Sequence, residues 1–150
     1  MFLINKTDSS GDPVPITHQC EKAEDIGKPM TEKELFAFAV SLVMVSYYKQ
    51  GGKIKFMDYT MDRDVPNIIM ENEELARIYY VKIMLFHITE EPALPPQDYY
   101  KDLIEMAEEA GANPVIIGVE FEHVKEKGRE EMLCGDRFIV RHTAPVSLTG

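Results

Sequence analysis

The sequence predicts an α/β fold in which a mixed central sheet of about four or five strands is flanked by two main helices. Two stretches, residues 75–86 and 114–121, are apolar at both odd and even positions, which is typical of strands buried on both faces. The candidate elements also follow the order helix, three strands, helix, strand and one additional strand. A length of 150 residues fits one domain with one sizeable core.

Residues 1–30 are polar and are interrupted by glycines and prolines. We interpret them as an irregular N-terminal lead-in with one short strand at residues 2–4. The pattern leaves open whether this segment wraps the domain or is loosely attached. Residues 31–150 then form a single α/β domain.

The first helix begins at a capping box, with Thr31 at the N-cap and Glu34 three residues later. It runs to about residue 50, where Gly51 and Gly52 provide the stop. Its polar residues gather at the two ends, and its middle is apolar on all sides. Such a helix is either buried or packs between a sheet and a partner.

Three strands follow this helix. Residues 53–59 alternate as in a half-exposed strand, and a polar connection rich in aspartate leads to a hairpin with strands at residues 68–70 and 75–86. Lys82 lies in the middle of the second hairpin strand. Because desolvating an ammonium costs several kcal/mol, a lysine in a central strand needs a partner.

The rest of the chain supplies the second helix and the last strands. A proline-rich loop at residues 89–96 precedes a helix that runs from residue 96 to Gly111. Residues 114–121 form a central strand, residues 125–131 a charged connection, and residues 137–142 a last strand.

In this order of elements, and at Pro66-Asn67 and Tyr80-Val81-Lys82, residues 31–122 resemble the core of the PD-(D/E)XK nucleases, the restriction-endonuclease-like fold. That core is a helix, three strands, a helix and a fourth strand. Its second strand carries Pro-Asp, and its third carries an acid, any residue and then lysine. The resemblance places Asn67 and Tyr80 at the metal-binding acids and Lys82 at the lysine that orients or activates the attacking water. Glu34 stands at the helix start, where the family often has an acid that helps to build the site.

The departures from the family fall on the chemistry. Hard divalent cations need anionic oxygens, whereas Asn67 offers a neutral amide oxygen and Tyr80 a phenol that stays protonated near neutral pH. The expected site is therefore degenerate and holds no Mg²⁺. In the alternative, acids on neighbouring elements rebuild a Mg²⁺ site, and the candidates are Asp58, Asp64, Glu105 and Glu120.

Each of these residues also has a structural interpretation. Lys82 fits a lysine at the rim of the sheet or one paired with an acid such as Asp64 or Glu34. Asn67 fits a turn or strand-edge residue with a backbone hydrogen bond. Glu34 is explained by the capping box alone. Glu120 and Glu122 point to one face of a strand, where they form a solvated strand end or bind a cation.

The cysteines and histidines show no ligand spacing. Cys20 and Cys134 lie far apart in the sequence, and we expect two free thiols in a cytosolic protein, although a disulfide stays open. The histidines, which lack the spacing of a His-x-x-x-His motif, are His18, His87, His123 and His142.

The formal net charge of −10, from 26 acidic and 16 basic residues, argues against nucleic-acid binding. The N-terminus lacks the pattern of a signal peptide, and the longest apolar stretch falls short of the ~20 residues that span a bilayer, so we expect a soluble cytoplasmic protein without a membrane partner.

The expected function is that of a non-catalytic nuclease-like domain that binds an unidentified protein or serves as a structural unit. The alternatives are a metal-dependent nuclease with a rearranged site and an acidic inhibitor or immunity-type protein that binds a basic partner. Homo-oligomerisation stays open.

Overall fold

A computed structural model describes residues 9–10, 14–18, 20, 22–85, 97–124 and 132–149. It confirms an α/β protein with a mixed sheet and two α-helices in the described ranges. The elements, in chain order, are β1 (Ile16–Thr17), α1 (Glu32–Lys49), β2 (Lys53–Met57), β3 (Ile68–Asn72), β4 (Arg77–Leu85), α2 (Lys101–Glu109), β5 (Asn113–His123), β6 (Arg137–His142) and β7 (Val146–Ser147). Short 3₁₀ turns at Ala23–Asp25 and Gln97–Tyr100 precede the two helices. The predicted strand at residues 2–4, the loop at 89–96 and the connection at 125–131 lie outside the described residues.

Helix α1 has the predicted bounds because local signals fix both of its ends. The Thr31 hydroxyl accepts a hydrogen bond from the Glu34 backbone N–H at 3.1 Å, and the Glu34 carboxylate accepts one from the Thr31 backbone N–H at 3.3 Å. Gly51 ends the helix with a φ of +88°, a conformation that glycine adopts without steric cost. One side of α1 packs on the sheet, whereas Val45 and Tyr48 on the other side are 40% and 69% exposed.

The seven described strands form one sheet in the order β1-β6-β5-β4-β3-β2, and β7 pairs with the beginning of β5. Strands β4 and β5 run parallel, and the other pairings are antiparallel. The prediction of four or five strands was too low because β1 and β7 are two-residue strands that form only by pairing with β6 and β5. The predicted strands at residues 75–86 and 114–121 are confirmed as β4 and β5. Residues 114–121 of β5 are buried as predicted, whereas in β4 only residues 81–83 are buried.

Each face of the sheet carries its own apolar cluster. Helix α1 covers the larger cluster, in which Phe36 and Val40 meet Val81, Ile117 and Phe138. The second helix covers the opposite face of β5. There the fully buried Leu103 and Ile116 pack with Tyr100, Leu148 and the half-buried Tyr80.

The lead-in joins the domain through β1 and through a covalent link. Cys20 and Cys134 form a disulfide with their Cα atoms 5.9 Å apart, so the expectation of two free thiols is wrong. The two cysteines meet because β1 pairs with β6, and Gly27 and Lys28 exchange backbone hydrogen bonds with Cys134. Pairings between distant segments of this kind leave no trace in the spacing of two cysteines. In the described part of the chain, no helix has the length and apolarity needed to cross a bilayer.

Candidate functional site

The Lys82 side chain is buried, with only 2% of its surface exposed, and its ammonium is enclosed by backbone oxygens. The Nζ atom donates hydrogen bonds to the carbonyls of Thr60 at 3.2 Å, Asp62 at 2.6 Å and Val65 at 2.9 Å. The ring of Phe36 lies 5.9 Å from the same nitrogen and covers a further side of it. An ammonium has three N–H donors, so all of its hydrogen-bonding capacity is used.

Asn67 lies beside Lys82 and is fully buried. Its amide nitrogen donates to the carbonyls of Asp58 at 3.0 Å and Thr60 at 2.7 Å, and its amide oxygen accepts from the Ile83 N–H at 3.0 Å. The Thr60 carbonyl is therefore shared between Asn67 and Lys82. Asn67 and Lys82, two of the residues named by the resemblance, are thus brought together, and both bind the segment of residues 58–65, which we call the 58–65 loop.

The 58–65 loop is also ordered by its own side chains. The Asp58 carboxylate accepts from the Thr60 N–H at 2.8 Å, the Thr60 hydroxyl from the Asp62 N–H at 3.1 Å, and the Asp62 carboxylate from the Asp64 N–H at 2.9 Å. These are the local turns that Asp and Thr side chains make with nearby backbone. Asp64 contacts Arg63, with Nε and Oδ1 4.0 Å apart. Every second residue from 58 to 64 thus contributes to the loop.

Among the described residues, no carboxylate lies within ion-pair distance of the Lys82 ammonium. Burial lowers the pKa of Lys82 to about 8, and the charges of Asp62, Asp58 and Asp64 act in the opposite direction. Lys82 therefore does not form the expected ion pair with Asp64 or Glu34. Its ammonium binds carbonyl oxygens, and the aspartate charges act on it from a longer distance.

A cavity of about 220 Å³ lies next to Lys82, between α1, the 58–65 loop and the first turn before α2. Its walls are mainly apolar and aromatic. They are formed by Glu32, Phe36, Met61, Arg63, Lys82, Ile83, Met84, Leu85, Tyr99 and Tyr100. Arg63 closes one side by stacking its guanidinium over the Tyr99 ring at 4.9 Å. Because the Lys82 ammonium is fully used by the loop, the wall offers no free amine to a molecule in this cavity.

Two other residues from the resemblance lie apart from this arrangement. Tyr80 packs into the apolar cluster beside α2 and does not line the cavity. Glu34 completes the capping box, and its charge acts on His18: burial lowers the pKa of His18, and the Glu34 carboxylate opposes that change. The structure therefore brings together Asn67 and Lys82 of the four residues, but not Tyr80 or Glu34.

Of the four candidate acids for a rearranged metal site, Asp58 and Asp64 belong to the 58–65 loop, whereas Glu105 and Glu120 lie on α2 and β5. Glu105 is exposed on the outer side of α2. Glu120 and Glu122 share one face of β5, as predicted, but they are buried and are bridged by Arg141 of β6. The guanidinium nitrogens lie 3.3 Å from Glu120 Oε1 and 2.6 Å from Glu122 Oε2. The predicted solvated strand end is thus wrong, because cross-strand pairing places a cation over both carboxylates.

The described residues also contain a group that the sequence reasoning overlooked. Ligand atoms of His18, Cys20 and Cys134 all lie within 4.8 Å of one another. The signal in the sequence was the spacing of His18 and Cys20, which are two residues apart on one segment. Pairing of β1 with β6 brings this segment close to Cys134. His142 lies at the other end of β6, with its Nδ1 2.8 Å from the Thr143 carbonyl oxygen. His87 and the side chain of His123 lie outside the described residues.

Asn67 and Lys82 together form a clamp that fixes backbone. The Lys82 ammonium and the Asn67 amide nitrogen donate to carbonyls of the 58–65 loop, and the Asn67 amide oxygen accepts from the Ile83 N–H of β4. No protein-family model, no curated protein and no solved structure matches the chain. The geometry of the described residues is therefore the basis on which a function can be argued.

Proposed function

We propose that this chain is a non-catalytic domain with a nuclease-like core that acts by binding a protein partner. The observation that carries the proposal is the state of the Lys82 ammonium. A lysine that activates water must present its amine to that water. Here the nitrogen is buried and bound to three carbonyls.

The order of elements supports the nuclease-like core. Helix α1, strands β2, β3 and β4, helix α2 and strand β5 follow one another as the resemblance implies. Asn67 immediately precedes β3, and Lys82 lies in β4, which are the second and third strands of that series. Asn67 just before the second strand and Lys82 in the third agree with the positions that the resemblance implies, and this agreement supports the proposal.

The donor set around Lys82 argues against a resident divalent metal. Mg²⁺ and Ca²⁺ favour carboxylate oxygens, and metal-assisted cleavage of a phosphodiester needs the ion. The Asn67 amide oxygen is occupied by the Ile83 N–H, and the carboxylates of Asp58 and Asp62 accept hydrogen bonds from their own loop. One observation favours the alternative of a rearranged nuclease, because three aspartate charges of this loop act on Lys82.

A cleavage and metal-binding assay distinguishes the non-catalytic domain from the rearranged nuclease. The purified chain is incubated with single- and double-stranded DNA and with RNA in Mg²⁺ or Mn²⁺, and Mn²⁺ binding is measured by calorimetry. We expect no cleavage above background and no tight binding. We also expect weak DNA binding in a gel shift at about 150 mM salt, because the net charge is −10. The matched variants are Lys82→Met and Asp62→Asn.

Cleavage or micromolar Mn²⁺ binding that is lost in Asp62→Asn would replace the non-catalytic proposal with the rearranged nuclease. Activity that survives in both variants would indicate a contaminant and would leave the expected result in place. Circular dichroism of each variant separates loss of activity from loss of fold.

The acidic surface favours a partner with a basic surface. Four carboxylates lie at helical spacing on the exposed side of α2 and the turn before it, at Asp98, Asp102, Glu105 and Glu109. None has an ion-pair partner among the described residues. Exposed charges of one sign attract a partner of the opposite sign and speed its association. This stripe is the observation that favours the acidic-inhibitor form of the proposal.

A lysine homopolymer peptide serves as the probe for that stripe. One variant replaces its four acids by the neutral isosteres Asn and Gln, and the control replaces four exposed acids elsewhere, Glu24, Glu32, Glu73 and Glu74, by Gln. Both remove four negative charges. If the stripe is the docking surface, the first variant should bind the peptide roughly tenfold more weakly than the control, since each exposed pair contributes about 0.2–1 kcal/mol. Equal weakening would show that only net charge matters and would remove the stripe as a docking surface.

A further inference from the structure

The side chains of His18, Cys20 and Cys134 form a compact group between the lead-in and the turn before β6. Cys134 is buried, and His18 and Cys20 are half-buried. The Nδ1 atom of His18 lies 3.5 Å from the Cys134 sulfur. This group is separate from the Lys82 clamp, and the proposed function does not use it.

We propose that, when the disulfide is reduced, His18, Cys20 and Cys134 bind a zinc-class divalent cation. Zinc binds cysteine sulfur at about 2.3 Å and histidine nitrogen at about 2.0–2.1 Å, so tetrahedral geometry places a sulfur and a nitrogen ligand about 3.5 Å apart. The His18 and Cys134 atoms already have that separation. Three protein ligands leave a fourth position for water, as in zinc sites that keep an open position.

Backbone hydrogen bonds hold His18 and Cys134 in place without the sulfur–sulfur bond. On one side, the Ile16–Thr17 strand pairs with β6, and the His18 N–H donates to the Asp136 carbonyl at 3.2 Å. On the other side, the Cys134 N–H donates to the Lys28 carbonyl at 2.8 Å, and the Cys134 carbonyl accepts from the Gly27 N–H at 2.9 Å. Reduction therefore frees the two sulfurs while β1 stays paired with β6, and Gly27 and Lys28 stay hydrogen-bonded to Cys134.

The imidazole of His18 is also oriented. Its ring meets the Phe38 ring edge to face, with centroids 4.9 Å apart, and this contact helps to keep the Nδ1 side toward Cys134. Close by, Gly135 has a φ of +87°, and a Cβ atom there would lie 3.6 Å from the Cys20 sulfur. Such a distance is an ordinary contact, so it is the positive φ that favours glycine at this position.

The chemical steps balance with an external reductant. A phosphine donates the two electrons that break the sulfur–sulfur bond and takes the oxygen of one water molecule to become the phosphine oxide. The two protons of that water bind to the two sulfurs, so that Cys20 and Cys134 become thiols. Coordination of the cation to both thiolates then releases these two protons to solvent, while His18 binds through a neutral nitrogen. The lead-in thus stays linked to the turn before β6, by a disulfide in one state and by a metal in the other.

The test uses the full chain, stripped of metal and reduced with a phosphine under anaerobic conditions. Titration with Co²⁺ should give thiolate-to-cobalt charge-transfer bands and the visible bands of a tetrahedral ion, which Zn²⁺ then displaces. The oxidised chain should show neither. The Zn²⁺ affinity is measured by competition with a chromophoric chelator.

Variants identify the ligands. His18→Ala keeps both thiols and should weaken Zn²⁺ binding by more than the roughly 10–100-fold that loss of an outer-shell partner costs. Cys20→Ser and Cys134→Ser each keep one thiol and should bind more weakly with less intense charge-transfer bands, which the double serine variant should lose entirely. His142→Ala is the control that should bind like the wild type. Absence of binding to the reduced, folded chain would overturn the site, as would an affinity unchanged in His18→Ala. If the serine variants fail to fold, His18→Ala decides alone.

Discussion

The ammonium of Lys82 acts toward the 58–65 loop as a bound cation would. It draws three carbonyl oxygens from positions 60, 62 and 65 to one point, and Asn67 holds two carbonyls of the same loop from the side. The sequence marked Lys82 and Asn67 because of their types and places in the strands. It could not indicate their partners, because a backbone carbonyl is present at every residue and carries no signal.

Replacing Lys82 with Met keeps most of the stem and removes the three donors. The carbonyls of Asp62 and Val65 then lose their hydrogen bonds to a charged donor, and a hydrogen bond of this kind contributes about 1.5–3 kcal/mol. We therefore expect the free energy of unfolding, measured with urea, to fall by that amount. The control is Lys33→Met on the exposed part of α1, which removes the same charge and should change stability little. Equal stability of the two variants would contradict the clamp.

The pH dependence of the free energy of unfolding, compared between the wild type and Lys82→Met, tests the burial of Lys82. Burial lowers the pKa of Lys82 from 10.5 in the unfolded chain to about 8 in the folded protein. Between these values the unfolded chain binds a proton that the folded protein has lost, so the free energy of unfolding of the wild type rises with pH there. Relative to Lys82→Met, the slope should be positive and at most about 1.4 kcal/mol per pH unit, and it should vanish below about pH 8. If the difference in the free energy of unfolding between the wild type and Lys82→Met stays constant from about pH 8 to 10.5, the pKa of Lys82 is not lowered by folding.

At the scale of elements, the sequence was informative wherever the signal is local. The Thr31 and Glu34 cap, the glycine after residue 50 and the doubly apolar runs are decided within a few residues, and α1, β4 and β5 formed as predicted. The strands β1 and β7 were missed because each has two residues and is defined by its partner strand. The same reason applies to Glu120 and Glu122. Their common face follows from strand alternation, but the Arg141 that bridges them comes from the register of β5 with β6.

At the scale of the whole molecule, the disulfide closes almost the entire domain into one loop. Cys20 and Cys134 are separated by 114 residues, and between them lie both helices and most of the sheet. A crosslink restricts the unfolded chain more as the loop that it closes becomes longer. The candidate metal site lies at the same crosslink, so the two states of the cysteines should differ in stability.

Reduction should therefore destabilise the domain, and zinc should restore part of the loss. Removing a native disulfide costs about 2–5 kcal/mol, so the urea midpoint of the wild type should fall in phosphine and chelator. The double variant Cys20→Ser/Cys134→Ser should match the reduced protein and should not respond to phosphine. Zn²⁺ at 100 times its dissociation constant should return about 2.7 kcal/mol to the reduced wild type and nothing to the double variant. An unchanged midpoint on reduction would mean that the crosslink does not stabilise the fold. Recovery of equal size in the double variant would place the bound zinc away from these cysteines.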